Sequence, residues 1–186
     1  MSNICWSGGA DGADVAWGKA ASAVGHEVRH VSFKGHKGSK LPEAWVIPPD
    51  RLLTADPILK MANSVLKRAF PSHSEFVDNL LRRNYWQVND SDSIYAIAGI
   101  DYEHGSVFGG TAWAIECFKI LYPNSDKIFV YDSRLDNWFQ WDLESGLYGA
   151  WKVIEKPPVP TGKWTGIGSR ELDENGYNAI NSLFDK

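Results

Sequence analysis

Three glycine-rich segments in this sequence each stand between a predicted strand and a predicted helix. They are residues 7–14, residues 107–116 and residues 166–170. Glycine allows a sharp turn and lets the backbone approach a bound ligand closely. Strands and helices that alternate in this way favour an α/β domain with a largely parallel sheet and right-handed crossovers. The turns after the strands then meet at the carboxyl edge of the sheet, where ligands bind.

We therefore predict a Rossmann-like α/β fold, with a mainly parallel sheet, flanking helices and a small aromatic β-hairpin at residues 138–154. Apolar runs predict strands at residues 3–6, 27–33, 94–100, 127–131 and 165–168. Apolar residues at helical spacing predict helices at residues 11–24, 57–69, 74–86, 111–121 and 173–184. Residues 34–49 contain several glycines and prolines, which predict a loop.

Length, charge and cysteine usage restrict the function further. A chain of 186 residues with ordinary globular composition predicts a single domain over residues 1–186. The formal net charge of -4 argues against sequence-independent binding of duplex DNA. Cys5 and Cys117 form no C-x-x-C motif, and the histidines are scattered, so we expect neither a disulfide scaffold nor a metal site. With no apolar run of membrane-spanning length and no secretory signal, the expected location is cytoplasmic.

The first turn offers a backbone cradle for a phosphate at the start of a helix. Ser7 can donate from its hydroxyl, while Asp11 or Asp14 can cap the helix or accept a hydrogen bond from a ribose. The alternative is an ordinary tight turn with an aspartate cap, and the residues alone leave both interpretations open. The candidate ligand-binding residues here are Ser7, Gly8, Gly9, Ala10, Asp11 and Asp14.

The second turn has the same character and adds a candidate catalytic residue. Glu116 lies in the helix that follows, where it can act as an acid or base, or form an ion pair with Lys119 or Lys127. The third turn adds an arginine whose planar fork suits phosphate, and residues 82–88 supply a further arginine and two amides that can read a base edge. Helix-dipole and surface roles are the alternatives for these arginines. The candidate ligand-binding residues are Gly109, Gly110, Thr111, Gly168, Ser169, Arg170, Arg83, Asn84 and Gln87.

Taken together, these motifs resemble those of the SLOG superfamily of Rossmann-like nucleotide-binding proteins. Its short phage or prophage members, which are similar to DNA-processing recombination mediators, carry G-I-G-S-R, S-G-G-A-x-G-A-D, R-N-x-x-Q-V and G-G-T elements. The resemblance does not reach residues 34–67 or 134–160, which we interpret as family-specific insertions. The matching stretches are residues 166–170, 7–14, 83–88 and 109–111.

The order of these motifs differs from the family pattern, because G-I-G-S-R normally comes first and here comes last. Joining the end of the chain to its beginning restores the usual order. The chain therefore resembles a circular permutant, opened between the first helix and the second strand. Permutation is tolerated where chain ends lie close together at the surface. We expect Met1 and Lys186 to lie near each other, and residues 165–168 to share a sheet with residues 3–6.

The resemblance implies binding of a nucleotide-derived phosphorylated small molecule: a nucleoside phosphate, an ADP-ribose derivative or a cyclic-nucleotide signal. In a phage setting, such binding would sequester an immune second messenger. Arg83 and Arg170 are then expected to converge on the phosphates with the backbone of residues 7–10. The alternatives are a phosphoribohydrolase-like enzyme and, third, a mediator that binds single-stranded DNA. We expect no cofactor, membrane or nucleic-acid partner. Many SLOG proteins form dimers, so the resemblance is compatible with a homo-oligomer.

The binder and the hydrolase differ at the second turn. Hydrolases of the superfamily read G-G-x-G-T-x-x-E there. Gly109, Gly110 and Glu116 match this pattern, while Ala112 and Trp113 replace the inner glycine and threonine. The indole is expected to exclude water, which favours holding the ligand over hydrolysing it.

Overall fold

The computed structural model describes residues 2–145 and 150–185. The strands are β1 (Ile4–Ser7), β2 (Glu27–Phe33), β3 (Ala44–Ile47), β4 (Ser93–Ile97), β5 (Ile100–Asp101), β6 (Ser106–Val107), β7 (Ile128–Asp132), β8 (Asn137–Asp142), β9 (Ala150–Ile154) and β10 (Lys163–Gly168). The helices are α1 (Ala13–Ala23), α2 (Pro49–Leu53), α3 (Asp56–Leu66), α4 (Glu75–Val88), α5 (Thr111–Leu121) and α6 (Glu174–Ser182). A short 3-10 helix, Lys37–Lys40, follows β2.

The main sheet has eight strands in the order β3-β2-β1-β10-β4-β7-β8-β9. Every pair from β3 to β7 in this order is parallel. The predicted α/β fold with a mostly parallel sheet is therefore confirmed. The aromatic hairpin is also present: β8 and β9 pair antiparallel, with Trp141 opposite Trp151, and β8 joins the main sheet through β7. A separate antiparallel ribbon consists of β5 and β6.

Helices cover both faces of the sheet, because alternate residues of the central strands are apolar on both sides. Tyr95 and Ile97 of β4 pack in the cluster that contains α1, α6 and the indole of Trp17. Ile94 and Ala96 of the same strand pack in the cluster that contains α3, α4 and α5. Successive side chains of a strand point to opposite faces, so one apolar strand contributes to two cores. Within the described residues, no helix is both long enough and apolar enough to cross a membrane.

A crevice opens between the neighbouring strands β10 and β4. The chain leaves β10 towards α6 on one face of the sheet, and it leaves β4 towards α5 on the other face. Two adjacent parallel strands whose connections depart on opposite sides form a topological switch point, the preferred ligand position in such sheets. The third glycine turn follows β10, so it lies directly at this crevice.

The structure differs from the predictions within residues 34–49, which were expected to form a loop. They contain the 3-10 helix and the edge strand β3, which pairs with β2, and α2 begins at Pro49. Prolines at positions 42 and 48 flank β3 and obscured its four residues. The predicted strand at 94–100 is also divided, since β4 ends at Ile97 and Ile100 starts the β5–β6 ribbon.

The relation between the two ends of the chain follows from β1 and β10. They pair in parallel, which confirms that residues 165–168 share a sheet with residues 3–6. Met1 and Lys186 themselves lie outside the described residues. Near them, the imidazole of His26 lies 3.1 Å from Nδ2 of Asn3, and its ring centroid lies 5.9 Å from that of Phe184. One side chain therefore contacts both terminal regions.

Candidate functional site

The first and third glycine turns are bonded to each other. The N–H of Ala13 donates to the carbonyl oxygen of Ser169 at 3.0 Å. Gly12 has a φ of +85°, and a Cβ there would lie 2.3 Å from the carbonyl oxygen of Arg170. A larger residue would be strained and would push the turns apart. Glycine at position 12 thus lets the two backbones meet.

A cavity of about 520 Å³ opens beside these turns, at the crevice between β10 and β4; we call it the switch-point cavity. This volume is in the range of small-molecule sites, which typically span about 300–1,000 Å³. All three glycine turns contribute to its wall, together with α4. The predicted ligand-binding residues that line it are Ala10, Asp14, Arg83, Asn84, Gly109, Gly110, Thr111, Gly168, Ser169 and Arg170.

Asp14 on α1 and Arg83 on α4 form a buried ion pair in the cavity wall. Nη1 of Arg83 donates to Oδ2 of Asp14 at 3.0 Å and to Oε1 of Gln87 at 3.0 Å. Gly8 makes room for this guanidinium, since a Cβ at Gly8 would lie 1.3 Å from Nη1. Among the described residues, Oδ1 of Asp14 and Nε of Arg83 have no hydrogen-bond partner at ordinary distances and angles, although the backbone N–H groups of Ala10 and Gly168 lie close enough to the Asp14 carboxyl to lower its pKa. Leaving such groups unsatisfied costs about 1–3 kcal/mol each.

The ionisation of Asp14 depends on its neighbour. Burial raises the pKa of the Asp14 carboxyl, because the charged form loses its hydration. The charge and the hydrogen bond of Arg83 lower that pKa and offset part of the rise. The charge state of Asp14 therefore depends on the presence of the Arg83 guanidinium beside it.

The cavity has a positive side, although the chain has a formal net charge of -4. Arg170 lies exposed at its rim and forms no ion pair within residues 2–145 and 150–185. Nη1 of Arg68 donates to the carbonyl oxygen of Gly109, another lining residue, at 2.7 Å. Asp14 is the one carboxylate among the described lining residues, and Arg83 already neutralises it. An anion is the ligand that this balance favours.

The second glycine turn presents the N-terminus of α5 to the cavity. Gly110 is the N-cap and supplies no side-chain cap, and Nδ2 of Asn84 donates to its carbonyl oxygen at 3.2 Å. A Cβ built on Gly109 or Gly110 would meet no described atom within 4 Å, so the space beside the turn is open. The N–H groups of Ala112 and Trp113 already donate to the carbonyl oxygens of Gly109 and Gly110, so the helix offers an anion the N–H of Thr111 and the positive end of its dipole.

Ser7 and Gly9 support the wall of the cavity and do not line it. Oγ of Ser7 donates to the carbonyl oxygen of Asp14 at 2.7 Å and accepts from the N–H of Gly9 at 3.2 Å. It also lies 3.1 Å from Nδ1 of His30. The first turn is therefore closed by its own hydrogen bonds, and its contact with a phosphate stays a prediction.

Gln87 and Asp11 are likewise bound to other protein groups. Nε2 of Gln87 donates to the carbonyl oxygen of Gly166 at 2.9 Å, so this amide ties α4 to the central strand. Asp11 is exposed and accepts from Nζ of Lys37 at 2.6 Å. Their proposed contacts with a base or a ribose are not tested by this placement.

Glu116, the candidate acid or base, lines a different cavity of about 350 Å³, which we call the Glu116 cavity. Its Oε1 accepts from Nζ of Lys119 at 3.0 Å. Nζ also donates to the carbonyl oxygen of Gly105 at 2.6 Å and lies 3.5 Å from the ring centroid of Trp141. The ion pair with Lys119 that we expected as the alternative is thus present, and a catalytic role of Glu116 stays a prediction.

Trp113 does not line the switch-point cavity either. Only 3% of this residue is exposed, and its ring centroid lies 5.8 Å from that of Phe70. It packs in the apolar cluster between α3 and α5, because α5 turns this side towards α3. The placement gives no support to the expectation that the indole excludes water from a ligand.

A buried histidine lies close enough to the cavity arginines to feel their charge. Nδ1 of His36 lies 2.9 Å from Oγ of Ser32 and accepts from the N–H of Gly38 at 3.2 Å. Burial, together with the charges of Arg83 and Arg170, lowers the pKa of His36 to about 4.

No group of His, Cys, Asp or Glu in the described part of the chain could hold a metal ion.

Apolar side chains complete the lining of the switch-point cavity, and the sequence reasoning missed them. Val77 and Leu80 of α4 contribute to the wall, and Phe108 lies at the start of the second glycine turn. Phe108 carried a usable signal, because an exposed aromatic residue directly before two glycines is unusual in a turn. The α4 residues carried none, since they look like the apolar face of any packed helix.

No protein-family model, curated protein or solved structure matches this chain. The assignment to an α/β fold with a mostly parallel sheet therefore stands on the observed topology.

Proposed function

We propose that the switch-point cavity binds a phosphorylated, nucleotide-derived small molecule. The observation that supports this most directly is the Asp14–Arg83 pair, which keeps an unsatisfied acceptor and an unsatisfied donor in the cavity wall. A sugar hydroxyl beside a phosphate offers the complementary donor and acceptor. Both protein atoms are covered by neighbouring groups, so a small shift of the two side chains accompanies binding.

The phosphate is proposed to lie near Arg170 and the start of α5. Arg170 is an exposed cation without an ion pair in the described residues, and a guanidinium matches phosphate geometry with two parallel N–H groups. The N-terminus of α5 adds a backbone donor on the same cavity. Candidate ligands are nucleoside phosphates, ADP-ribose derivatives and cyclic-nucleotide signals.

Strand order supports a relation to the SLOG superfamily. Starting from β10, the sheet continues through β1, β2 and β3 to one side, and through β4 and β7 to the other. In the Rossmann fold, the second and third strands are added in turn on one side of the first strand. The fourth strand then pairs with the other side of the first strand. We propose that the chain is a circularly permuted SLOG-like protein in which the turn after β10 is the first phosphate-binding turn.

The ligand is proposed to be held and not cleaved. Cleavage of an N-glycosidic bond needs a carboxylate at the reacting carbon. Glu116 pairs with Lys119 in the other cavity, and Asp14 pairs with Arg83. Retention without cleavage would suit sequestration of a signal, including an immune messenger in a phage infection. The phosphoribohydrolase-like function remains the alternative proposal.

Native mass spectrometry of the purified protein is the first test, followed by calorimetry with nucleoside monophosphates, ADP-ribose and cyclic dinucleotides. We expect a bound mass or micromolar binding of at least one of them. After prolonged incubation and heat release, chromatography should recover that compound intact, from the wild type and from Glu116→Gln alike.

Two outcomes contradict this proposal in different ways. Failure of every phosphorylated compound to bind would overturn the assignment of the ligand class. Release of a free base by the wild type, and its loss in Glu116→Gln, would instead establish the hydrolase alternative.

A further inference from the structure

Phe108 is held at the mouth of the switch-point cavity with half of its surface exposed. Its exposed fraction is 50%, and it is one of the lining residues. The N–H of Phe108 donates to the carbonyl oxygen of Gly99 at 2.8 Å, and the β5–β6 ribbon leads directly into it. The backbone that presents this ring is therefore anchored. A single exposed aromatic residue is common by itself, so its surroundings decide what it means.

The surroundings cover one part of the ring with a cation. Cζ of Arg134 lies 5.2 Å from the ring centroid of Phe108. Arg134 is held by Asp132, with Nε donating to Oδ1 at 3.0 Å and Nη2 donating to Oδ2 at 2.6 Å. Asp132 is fully buried and also accepts from the N–H of Ile100 at 2.8 Å. A Cβ on Gly99 would lie 2.8 Å from Cζ of Arg134, so glycine at this position makes room for the guanidinium.

This arrangement fixes the ring without burying it. A bidentate carboxylate–arginine pair has little freedom, and an arginine over an aromatic ring attracts it electrostatically. Phe108 lines the cavity beside the open space at Gly109 and Gly110. Val77 and Leu80 line the same cavity with apolar surface. The cavity thus has an apolar part in addition to the charged part around Arg83 and Arg170.

We propose that Phe108 is the base-stacking residue of this cavity, with Arg134 holding the ring in place. The inference rests on the proposed function and adds to it, because it assigns the base to the apolar part and the phosphate to the charged part. Aromatic stacking tolerates different bases, since every base has a π face. The ligand class is therefore a purine or pyrimidine nucleotide, and a sugar phosphate without a base should bind weakly.

The test compares ligands that differ only in the base. Calorimetry would measure the binding of AMP, GMP, CMP, UMP and ribose 5-phosphate to the wild type, Phe108→Leu and Phe108→Tyr. Leucine keeps apolar bulk but has no π face, whereas tyrosine keeps the ring. Tyr177→Ala is the matched control, because Tyr177 is an aromatic residue with 52% exposure on α6, outside the cavity lining.

For the wild type, we expect at least one nucleotide to bind about tenfold more tightly than ribose 5-phosphate. Phe108→Leu should weaken that nucleotide by about tenfold and leave ribose 5-phosphate unchanged, within the range measured for base stacking on aromatic residues. Phe108→Tyr and Tyr177→Ala should both retain the wild-type affinities. Thermal unfolding would verify that each variant is folded.

The inference is overturned if Phe108→Leu leaves nucleotide affinity unchanged, or weakens nucleotides and ribose 5-phosphate equally. It is also overturned if the wild type binds ribose 5-phosphate as tightly as every nucleotide. In these cases a phosphorylated ligand still binds, so the proposed function survives. If none of the five compounds nor any larger nucleotide binds the wild type, the proposed function itself fails.

Discussion

The two cavities on either side of α5 each contain a buried carboxylate paired with a cation. In the Glu116 cavity, the ammonium of Lys119 donates to Glu116 and to a backbone carbonyl, and its remaining side lies against the indole of Trp141. In the switch-point cavity, Asp14 and Arg83 each keep an atom without a partner among the described residues. Among the described residues, neither side chain of the first pair keeps a fully buried polar atom without a partner, whereas each side chain of the second pair keeps one.

This difference separates a pair that stabilises the fold from a pair that can also bind. An unsatisfied pair has already lost hydration, so a ligand that supplies the missing partner recovers that cost. A pair without fully buried, unpartnered atoms has no such desolvation cost for a ligand to recover. Buried polar atoms without a partner therefore indicate a binding site here better than the spacing of a motif does.

The largest effect is expected from removing the cation of each pair. Arg83→Met and Lys119→Met each leave a buried carboxylate without its partner, which should lower the free energy of unfolding by about 3–5 kcal/mol. Only Arg83→Met should also abolish nucleotide binding. Urea unfolding, followed by tryptophan fluorescence, and calorimetry at a temperature where both variants are folded would check this.

A neutral replacement of the whole Glu116–Lys119 pair provides the control. Glu116→Leu combined with Lys119→Met should recover much of the lost stability, because apolar groups replace an ion pair that is costly to bury. Its nucleotide affinity should equal that of the wild type. Loss of binding in this folded double variant would show that the two cavities do not differ as we infer.

A smaller effect is expected at the cavity rim. Arg170→Ala should weaken binding of the tightest nucleotide by about 1.5–3 kcal/mol, the value of a hydrogen bond to a charged group. Because Arg170 is exposed, the free energy of unfolding should change by less than about 0.5 kcal/mol. The control is Arg29→Ala, which removes a half-buried arginine that pairs with Glu27 and lies over the ring of Trp6, outside the cavity. Equal affinities of all three proteins would remove Arg170 from the site.

The smallest effect concerns pH. In the folded protein the pKa of His36 is lowered to about 4, against roughly 6.5 in the unfolded chain. The unfolded chain therefore binds this proton more tightly, and the stabilisation is fully present above about pH 6.5 and is lost as the pH falls towards 4. Between pH 7 and pH 5 the free energy of unfolding should fall by about 1–2 kcal/mol more than in His36→Asn.

Asparagine keeps a side-chain acceptor for the N–H of Gly38, so the two proteins differ chiefly in the titration. The difference in pH dependence between a protein with His36 and its His36→Asn variant should become smaller in the Arg83→Met background, because the charge of Arg83 contributes to the low pKa of His36. The same difference should stay unchanged in the Lys119→Met background. Urea titrations at pH 5, 6 and 7 would measure the free energy of unfolding. If it changes with pH equally in the wild type and in His36→Asn, the low pKa of His36 is contradicted.

Much of the fold was predictable because local sequence and global topology agree. Buried runs such as residues 127–131 specify strands, and glycine turns mark where strands pass into helices. The strand β3 was not predictable, because it has only four residues between two prolines. Its extended conformation depends on pairing with β2, which the local sequence does not show. The β5–β6 ribbon was missed for a similar reason, as its two-residue strands carry no period.

The site was predictable at the level of backbone turns but less so at the level of side chains. Glycine motifs placed three turns at one edge, and most of the candidate ligand-binding residues line one cavity. Spacing allowed the ion pair of Glu116 with Lys119, but it could not show that both side chains line a different cavity, because the direction of a helical side chain depends on what the helix packs against. Nor could it show that Gln87 donates to Gly166, a contact between segments far apart in the chain.

The central position of β10 has a consequence for synthesis on the ribosome. β10 lies between β1 and β4 in the sheet, but residues 98–162 separate it from β4 in the chain. At about 5–20 residues per second, the ribosome needs roughly 3–13 s to make that stretch. During this interval β1 and β4 each have an unpaired edge, which is the kind of surface that pairs wrongly with other chains. The sheet of the nascent protein therefore cannot be completed until β10 has been synthesised. A chaperone that covers the free edges of β1 and β4 would act in that interval.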